Sequence, residues 1–194
     1  MPLTVMMMNK YRPLVDREIK QFIRAGHIEN CPDHLINPAS VNLQIGERLM
    51  HEVALRDQQG NVTGSQMLEI DLRKYSQTRP YMVAPGAFVL TDVKQVLHLP
   101  RNFEAQGVLR SSAGRLGFDH MASLYVDPGY HGVLTLEFLN CRQYQRLPIY
   151  PGQELVQLRI YRLPASPEKD YSQTGRYMHA AKVEANKDLS IAAH

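Results

Sequence analysis

The chain of 194 residues carries 22 Lys and Arg against 19 Asp and Glu, a net charge of +3, with 44% hydrophobic and 21% charged residues. That length and apolar content suffice for one domain with a sizeable core, and the near balance of charge argues against the concentrated basic face that nucleic-acid phosphates require. Two distant cysteines, Cys31 and Cys141, exclude a disulfide scaffold and the paired-cysteine ligand sets of structural zinc sites. No apolar run reaches the ~18 residues of a membrane-spanning helix, and Leu3 to Met8 falls short of a secretory core of ~7–15 residues. A soluble, unprocessed, cytoplasmic protein is expected.

Twelve Gly and twelve Pro are spread along the chain without a low-complexity tract, which predicts many turns between short elements and a mainly β fold. Near the start, Val15, Ile19, Phe22 and Ile23 recur on one helical face, with Asp16 placed to cap the first turn and Gly26 to end the last. After Pro38 the period changes to two. Val41, Leu43 and Ile45 alternate with Asn42 and Gln44 and predict a half-buried strand broken at Gly46. The polar stretch Glu52 to Thr78, with Gly60, Asn61 and Gly64, reads as a hairpin or excursion. From Tyr81 onward short apolar runs alternate with turns, as in a sandwich or barrel. Two later strands are clearer: Leu134, Leu136 and Phe138 share one face, and Val156, Leu158 and Ile160 share another. Beyond Pro164 the composition turns polar, so a single domain over 1–194 with a mobile C-terminal tail from about 165 is expected.

Three segments carry candidate chemistry. Arg110-Ser111-Ser112-Ala113-Gly114-Arg115-Leu116-Gly117 follows a strand and has the length of little more than one helical turn, with Ser111 or Ser112 as cap and Gly117 as stop. Unpaired N–H groups, hydroxyls and two guanidinium groups at one spot suit a phosphate chain; a capped turn with solvated arginines is the plainer alternative. In Asp127-Pro128-Gly129-Tyr130, Asp127 can accept from a sugar hydroxyl and Tyr130 can cover the sugar, although Asp-Pro-Gly also describes an ordinary β-turn. Glu137 stands in mid-strand on the face of Val133, Thr135 and Leu139. Burial there would suit it to take and return a proton near neutral pH; the alternatives are a solvent-facing carboxylate or an ion pair with an arginine such as Arg115. His120 and His131 lie near these segments and read as turn or solvated histidines.

Taken together, Pro38 to Leu43, Arg110-Ser111-Ser112, Gly114 to Gly117, Asp127 to Tyr130, Leu136 to Asn140 and Pro151-Gly152 resemble the dCTP deaminase branch of the trimeric dUTPase superfamily, over about Leu14 to Tyr177. The resemblance implies a distorted antiparallel β-barrel or jelly-roll with a short N-terminal helix and short helical turns. It also implies a homotrimer with active sites between subunits, acting on a small deoxynucleotide. On this pattern Arg110, Ser111, Ser112 and Arg115 bind phosphates, with Ser111 and Arg115 also ordering the catalytic water. Val126 and Asp127 meet the sugar side, Tyr130 packs beside it, and main-chain groups of the strand from Thr135, Leu136 included, read the pyrimidine. Gln157 stands where bifunctional relatives often carry glutamine, and Tyr171 and Arg176 belong to the closing C-terminal segment.

Glu137 falls on the family's general base and acid, which implies hydrolytic deamination of dCTP to dUTP and ammonia, with Mg2+ bound through the substrate triphosphate. Zinc is not expected, because the metal-dependent deaminases' His-x-Glu and Pro-Cys-x-x-Cys signature needs a cysteine pair, and Cys31 and Cys141 stand isolated. The alternatives are a dUTP diphosphatase, a bifunctional enzyme making dUMP and pyrophosphate, in which Asp127 orients a water towards phosphorus, or a non-catalytic nucleotide-binding protein. Ser123 replaces the usual alanine near the catalytic water, and Met178 to Lys182 replaces the usual glutamine-rich continuation of the closing segment.

Overall fold

A computed structural model describes residues 11–121 and 124–186. Ser123 and the last part of the expected tail lie outside the described residues. The strands are β1 (Arg12–Pro13), β2 (Ile28–Glu29), β3 (Ile36–Asn37), β4 (Ser40–Arg56), β5 (Val62–Asp71), β6 (Tyr81–Val83), β7 (Phe88–His98), β8 (Phe103–Leu109), β9 (Phe118–His120), β10 (Leu124–Val126), β11 (His131–Asn140), β12 (Leu147–Ile149) and β13 (Glu154–Arg162). Helices are short: α1 (Asp16–Arg24), α2 (Ser111–Leu116) and α3 (Tyr171–Thr174).

The α1 helix lies where the apolar spacing places it, with Ile19 and Phe22 buried. Its start differs from expectation. Asp16 is the first helical residue and accepts from the adjacent Arg17 N–H, while Glu18 reaches back to the Val15 N–H at 3.2 Å. That reach-back is half of a capping box. Glu18 is also held by both terminal nitrogens of Arg12, at 2.8 and 2.7 Å, which lowers its carboxyl pKa to about 2.

The sheet runs in the order β10-β8-β13-β4-β7-β11-β9 with antiparallel neighbours. It curls into a half-barrel because β4 serves two groups of strands. Its first residues pair with β13, and the stretch from Arg48 onward pairs with β5 and β7. Gly46 therefore does not end the strand as its sequence suggests. A Cβ there would stand 2.2 Å from Asp92 Oδ1, so only glycine lets β4 pass this close to β7. The polar stretch after Glu52 is the outer part of the β4–β5 hairpin, closed by Asp57, whose Oδ1 accepts the Gln59 and Asn61 N–H groups at 2.9 and 2.8 Å.

Leu43, Ile45, Leu49, Leu136, Phe138 and Leu158 lie inside the curl, fully shielded from solvent. On β11 the alternation is as read: Leu134, Leu136 and Phe138 are buried, and Val133, Thr135, Glu137 and Leu139 are half-buried on the other face. The polar segment after 165 packs against the body as far as it is described. Asp170, Ala180 and Val183 are buried, and Ala180 bridges to Gly132 in parallel. Main-chain bonds seat it where too few apolar side chains announced a core element. Among the described residues no helix is long and apolar enough to cross a membrane.

Candidate active site

Antiparallel register places Glu137 opposite Leu90, Leu90 opposite Met50, and Met50 opposite Glu69, a row running across β11, β7, β4 and β5. Thr135 is opposite Asp92 in the next row. Above this face opens a cavity of about 1020 Å³, lined among others by Tyr130, Thr135, Glu137, Tyr171 and Tyr177. Glu137 is half-buried at its wall, and no ion pair joins it to Arg115, so the carboxylate is available to a molecule in the cavity. On the β9 side, the Met121 N–H donates to the Glu137 carbonyl at 3.2 Å and the Val133 N–H donates to the Ala180 carbonyl at 2.8 Å. Between these contacts, at Thr135, no described strand runs alongside, which leaves a main-chain edge of the kind that can read a planar base.

Asp127 to Tyr130 forms a type II turn, with the Tyr130 N–H donating to the Asp127 carbonyl at 3.2 Å and Gly129 at φ +82°. The turn puts Tyr130 into the cavity wall. Its ring lies 5.3 Å from that of Tyr171, and its hydroxyl donates to the Val133 carbonyl at 2.8 Å. Burial raises the phenol's pKa and keeps it in the donating form. Asp127 faces a neighbouring cavity of about 340 Å³ that it shares with Glu104, Lys169 and Tyr171. Burial, and then the charge of Glu104, raise its carboxyl pKa. Tyr125 and Tyr171 line both cavities and so form the partition between Glu137 and Asp127.

The candidate phosphate ligands gather elsewhere. Arg110, not Ser111 or Ser112, is the N-cap of α2, with no side-chain cap bond, and Gly117 at φ +116° ends the helix as expected. Ser111, Ser112 and Arg115 are exposed, so both hydroxyls are spared from capping. The Arg110 N–H donates to the Leu155 carbonyl at 2.8 Å, and its guanidinium lies 2.6 Å from Glu154. Glu154 also accepts from Asn42 at 2.7 Å. Gln157, on the same strand, accepts from the Ser40 hydroxyl at 3.3 Å.

Neither Arg110, Ser111, Ser112, Arg115 nor Gln157 lines the Glu137 cavity. Arg176 is exposed and outside it as well, whereas its neighbour Tyr177 is in it. Val126 and Leu136 have side chains in the core, so only their main-chain groups can meet a ligand. Residues without a sequence signal complete the cavity: Met50, Glu52, Gln66 and Met67 of the β4–β5 hairpin, and Ala180 and Glu184 of the last described segment. Hairpin composition alone has no periodic cue for a cavity wall. Among the described residues no group of three or more His, Cys, Asp or Glu side chains is disposed to hold a metal ion.

A family model described as dCTP deaminase-like matches residues 13–163. The chain is 32% identical over 187 residues to a dCTP deaminase, dUMP-forming, of Dictyoglomus thermophilum, covering 92% of this chain and 95% of that one. It is 30% identical over 193 residues to a dCTP deaminase, dUMP-forming, of Nanoarchaeum equitans, covering 91% and 96%. Among solved structures, the 2'-deoxycytidine 5'-triphosphate deaminase of Agrobacterium tumefaciens superposes with a TM-score of 0.61 at 21% identity, over 78% of this chain. The matched part spans 48% of that longer chain, and this likeness concerns the fold.

Proposed function

The chain belongs to the dCTP deaminase family and is an enzyme of that class, and we propose that it takes dCTP through to dUMP, releasing ammonia and pyrophosphate. Formation of dUTP and ammonia as end products, the first reading of the sequence, gives way to this one because the relatives that cover nearly the whole chain are named dUMP-forming. The observation that carries the chemistry is the half-buried Glu137 carboxylate on the wall of a nucleotide-sized cavity.

In this reading the cytosine lies against the main-chain edge at Thr135. Glu137 takes a proton from a water, the hydroxide adds to C4 and the carboxyl gives that proton to N3; Glu137 then takes the proton of the new C4 hydroxyl and passes it to the amino group, which leaves as ammonia as the C4 carbonyl forms. A second water, oriented by Asp127 from the adjoining cavity and giving its proton to that carboxylate, attacks the α-phosphorus, and the bond to the β-phosphate breaks so that pyrophosphate leaves. Two separated carboxylates for two hydrolyses fit the partition formed by Tyr125 and Tyr171. Magnesium enters as an ion carried by the triphosphate.

A homotrimer is part of the proposal. Arg110, Ser111, Ser112 and Arg115 lie outside the Glu137 cavity of their own chain, and a second copy presenting its α2 would supply the missing phosphate ligands. The described core is one contiguous cluster, which favours one domain per subunit.

The test is a panel of dCTP, dUTP, dCMP and a 5-substituted dCTP, assayed together for ammonia and pyrophosphate. Both products from dCTP are expected. Ammonia alone would return the enzyme to a deaminase, pyrophosphate from dUTP alone would make it a diphosphatase, and binding without either product would leave a nucleotide sensor.

A further inference from the structure

The last described segment is seated on the sheet one strand at a time. The Glu184 N–H donates to Thr135 Oγ1 on β11 at 3.4 Å, the Val183 N–H stands near the Asp92 carboxylate on β7 and favours its ionised form, and Lys182 Nζ lies 3.0 Å from Glu69 Oε2 on β5. The segment thus lies along β11 from Ala180, which bridges to Gly132, to Glu184 at Thr135, and between them the Lys182 side chain reaches over to β5 while the Val183 side chain is buried. Arg48 of β4 links two of the three seats. Its main-chain N–H donates to Asp92 Oδ1 at 3.1 Å, and its guanidinium holds Glu69 Oε1.

We propose that Glu69 is a positioning residue for the reaction at Glu137: together with Arg48 it anchors residues 180–184 across the sheet, so that the β4–β5 hairpin sets how firmly a nucleotide is retained. One carboxylate that engages Arg48 through one oxygen and Lys182 through the other is a network, and networks hold geometry where isolated surface pairs contribute little. Without Glu69, Lys182 loses this partner, and the main-chain bond at Glu184 and the contact of the Val183 N–H with Asp92 open more often. Ala180 and Glu184 line the cavity, so freer opening lets substrate escape before it alters proton transfer at Glu137.

This inference rests on the assignment of the cavity to the nucleotide, but the anchor itself can be read without one. Amide hydrogen exchange at Val183 and Glu184 is measured in the full-length, nucleotide-free protein and in Glu69→Gln, Lys182→Met and Lys182→Arg. Exchange about fivefold faster in the first two variants, with near-native rates in Lys182→Arg, is the expected result. Steady-state kinetics on dCTP should then show KM raised about three- to fivefold in the same two variants, with kcat within about twofold of the parent. Unchanged exchange in Glu69→Gln overturns the anchor, and faster exchange with an unaltered KM overturns the positioning role. A parent protein that releases no ammonia contradicts the proposed function instead, and leaves the exchange result standing on its own.

Discussion

Arg110 donates to Glu154 Oε2 at 2.6 Å across the junction of α2 and β13, and the same oxygen accepts from Asn42 at 2.7 Å, whose own oxygen accepts from Asn37 at 2.8 Å. The candidate phosphate ligand is therefore held in place before any phosphate arrives. Both side chains are a quarter to a third exposed, at 25% for Glu154 and 33% for Arg110, so breaking the pair costs more than loss of a fully solvated one. Glu154→Ala is expected to lower the unfolding free energy by about 1–2 kcal/mol and to raise KM for dCTP several-fold with a smaller change in kcat. Urea denaturation and steady-state kinetics check the two effects; a normal KM in a destabilised variant would confine the pair to a structural role.

If Glu137 and Asp127 serve the two hydrolyses separately, as proposed, the activities are separable. Glu137→Gln keeps the shape of the side chain but replaces one carboxylate oxygen by an NH2 that cannot take and return a proton, so ammonia release should fall by about a hundredfold or more. Pyrophosphate release from dUTP should survive within a few-fold. Asp127→Asn should show the opposite pattern. Parallel loss of both products in either variant would contradict the division of labour.

Subunit complementation tests the placement of the site. If Glu137 comes from one subunit and Arg115 from its neighbour, co-expressed Glu137→Gln and Arg115→Ala chains, each unable alone to release ammonia from dCTP, reassemble intact deaminating sites at about one in four by random mixing in a trimer. Activity near that fraction is the expected outcome. None at all, in mixed trimers confirmed by mass, would put both residues in one subunit's site.

A histidine cluster where the last segment meets the body gives the stability a pH dependence. His98 Nδ1 and His131 Nδ1 are 3.2 Å apart, His98 Nε2 is 2.7 Å from Glu29, and the His179 ring lies 6.1 Å from that of His131. Burial, followed by repulsion from His98, His179 and His27, lowers the His131 pKa, and Asp170, itself paired with Arg101 at 2.6 Å, opposes the shift. The unfolded chain then takes up the proton first as pH falls. Stability is complete above the ordinary histidine value of about 6.5 and declines below it, through the lower folded value. A melting temperature that drops between about pH 7.5 and 5.5, with a shallower drop in His131→Gln, is expected; equal slopes would assign the dependence to other groups.

Much of the fold is legible from short-range pattern. The Ile19 and Phe22 spacing announces α1, and the alternation around Glu137 fixes which face of β11 is buried, because both follow from periodicity within one element. The end of β4 is misread at Gly46, since the reason for that glycine is Asp92, forty-six positions later, pressed against it. Likewise the role of Ser111 and Ser112 as caps passes to Arg110 through a main-chain bond to Leu155 that no local pattern contains.

By itself the sequence determined the mainly β class, the motif set that carries the family, and the choice of Glu137 and Asp127 as the candidate carboxylates. These depend on residue type and on spacing along the chain. Only the tertiary structure decided that the two carboxylates face separate cavities, that the phosphate candidates lie outside the Glu137 cavity, and that the hairpin after Glu52 and the segment after 165 are walls of it. Those are consequences of strand order and register, which join residues far apart in the chain through main-chain hydrogen bonds common to every amino acid and so leave little trace in composition or periodicity.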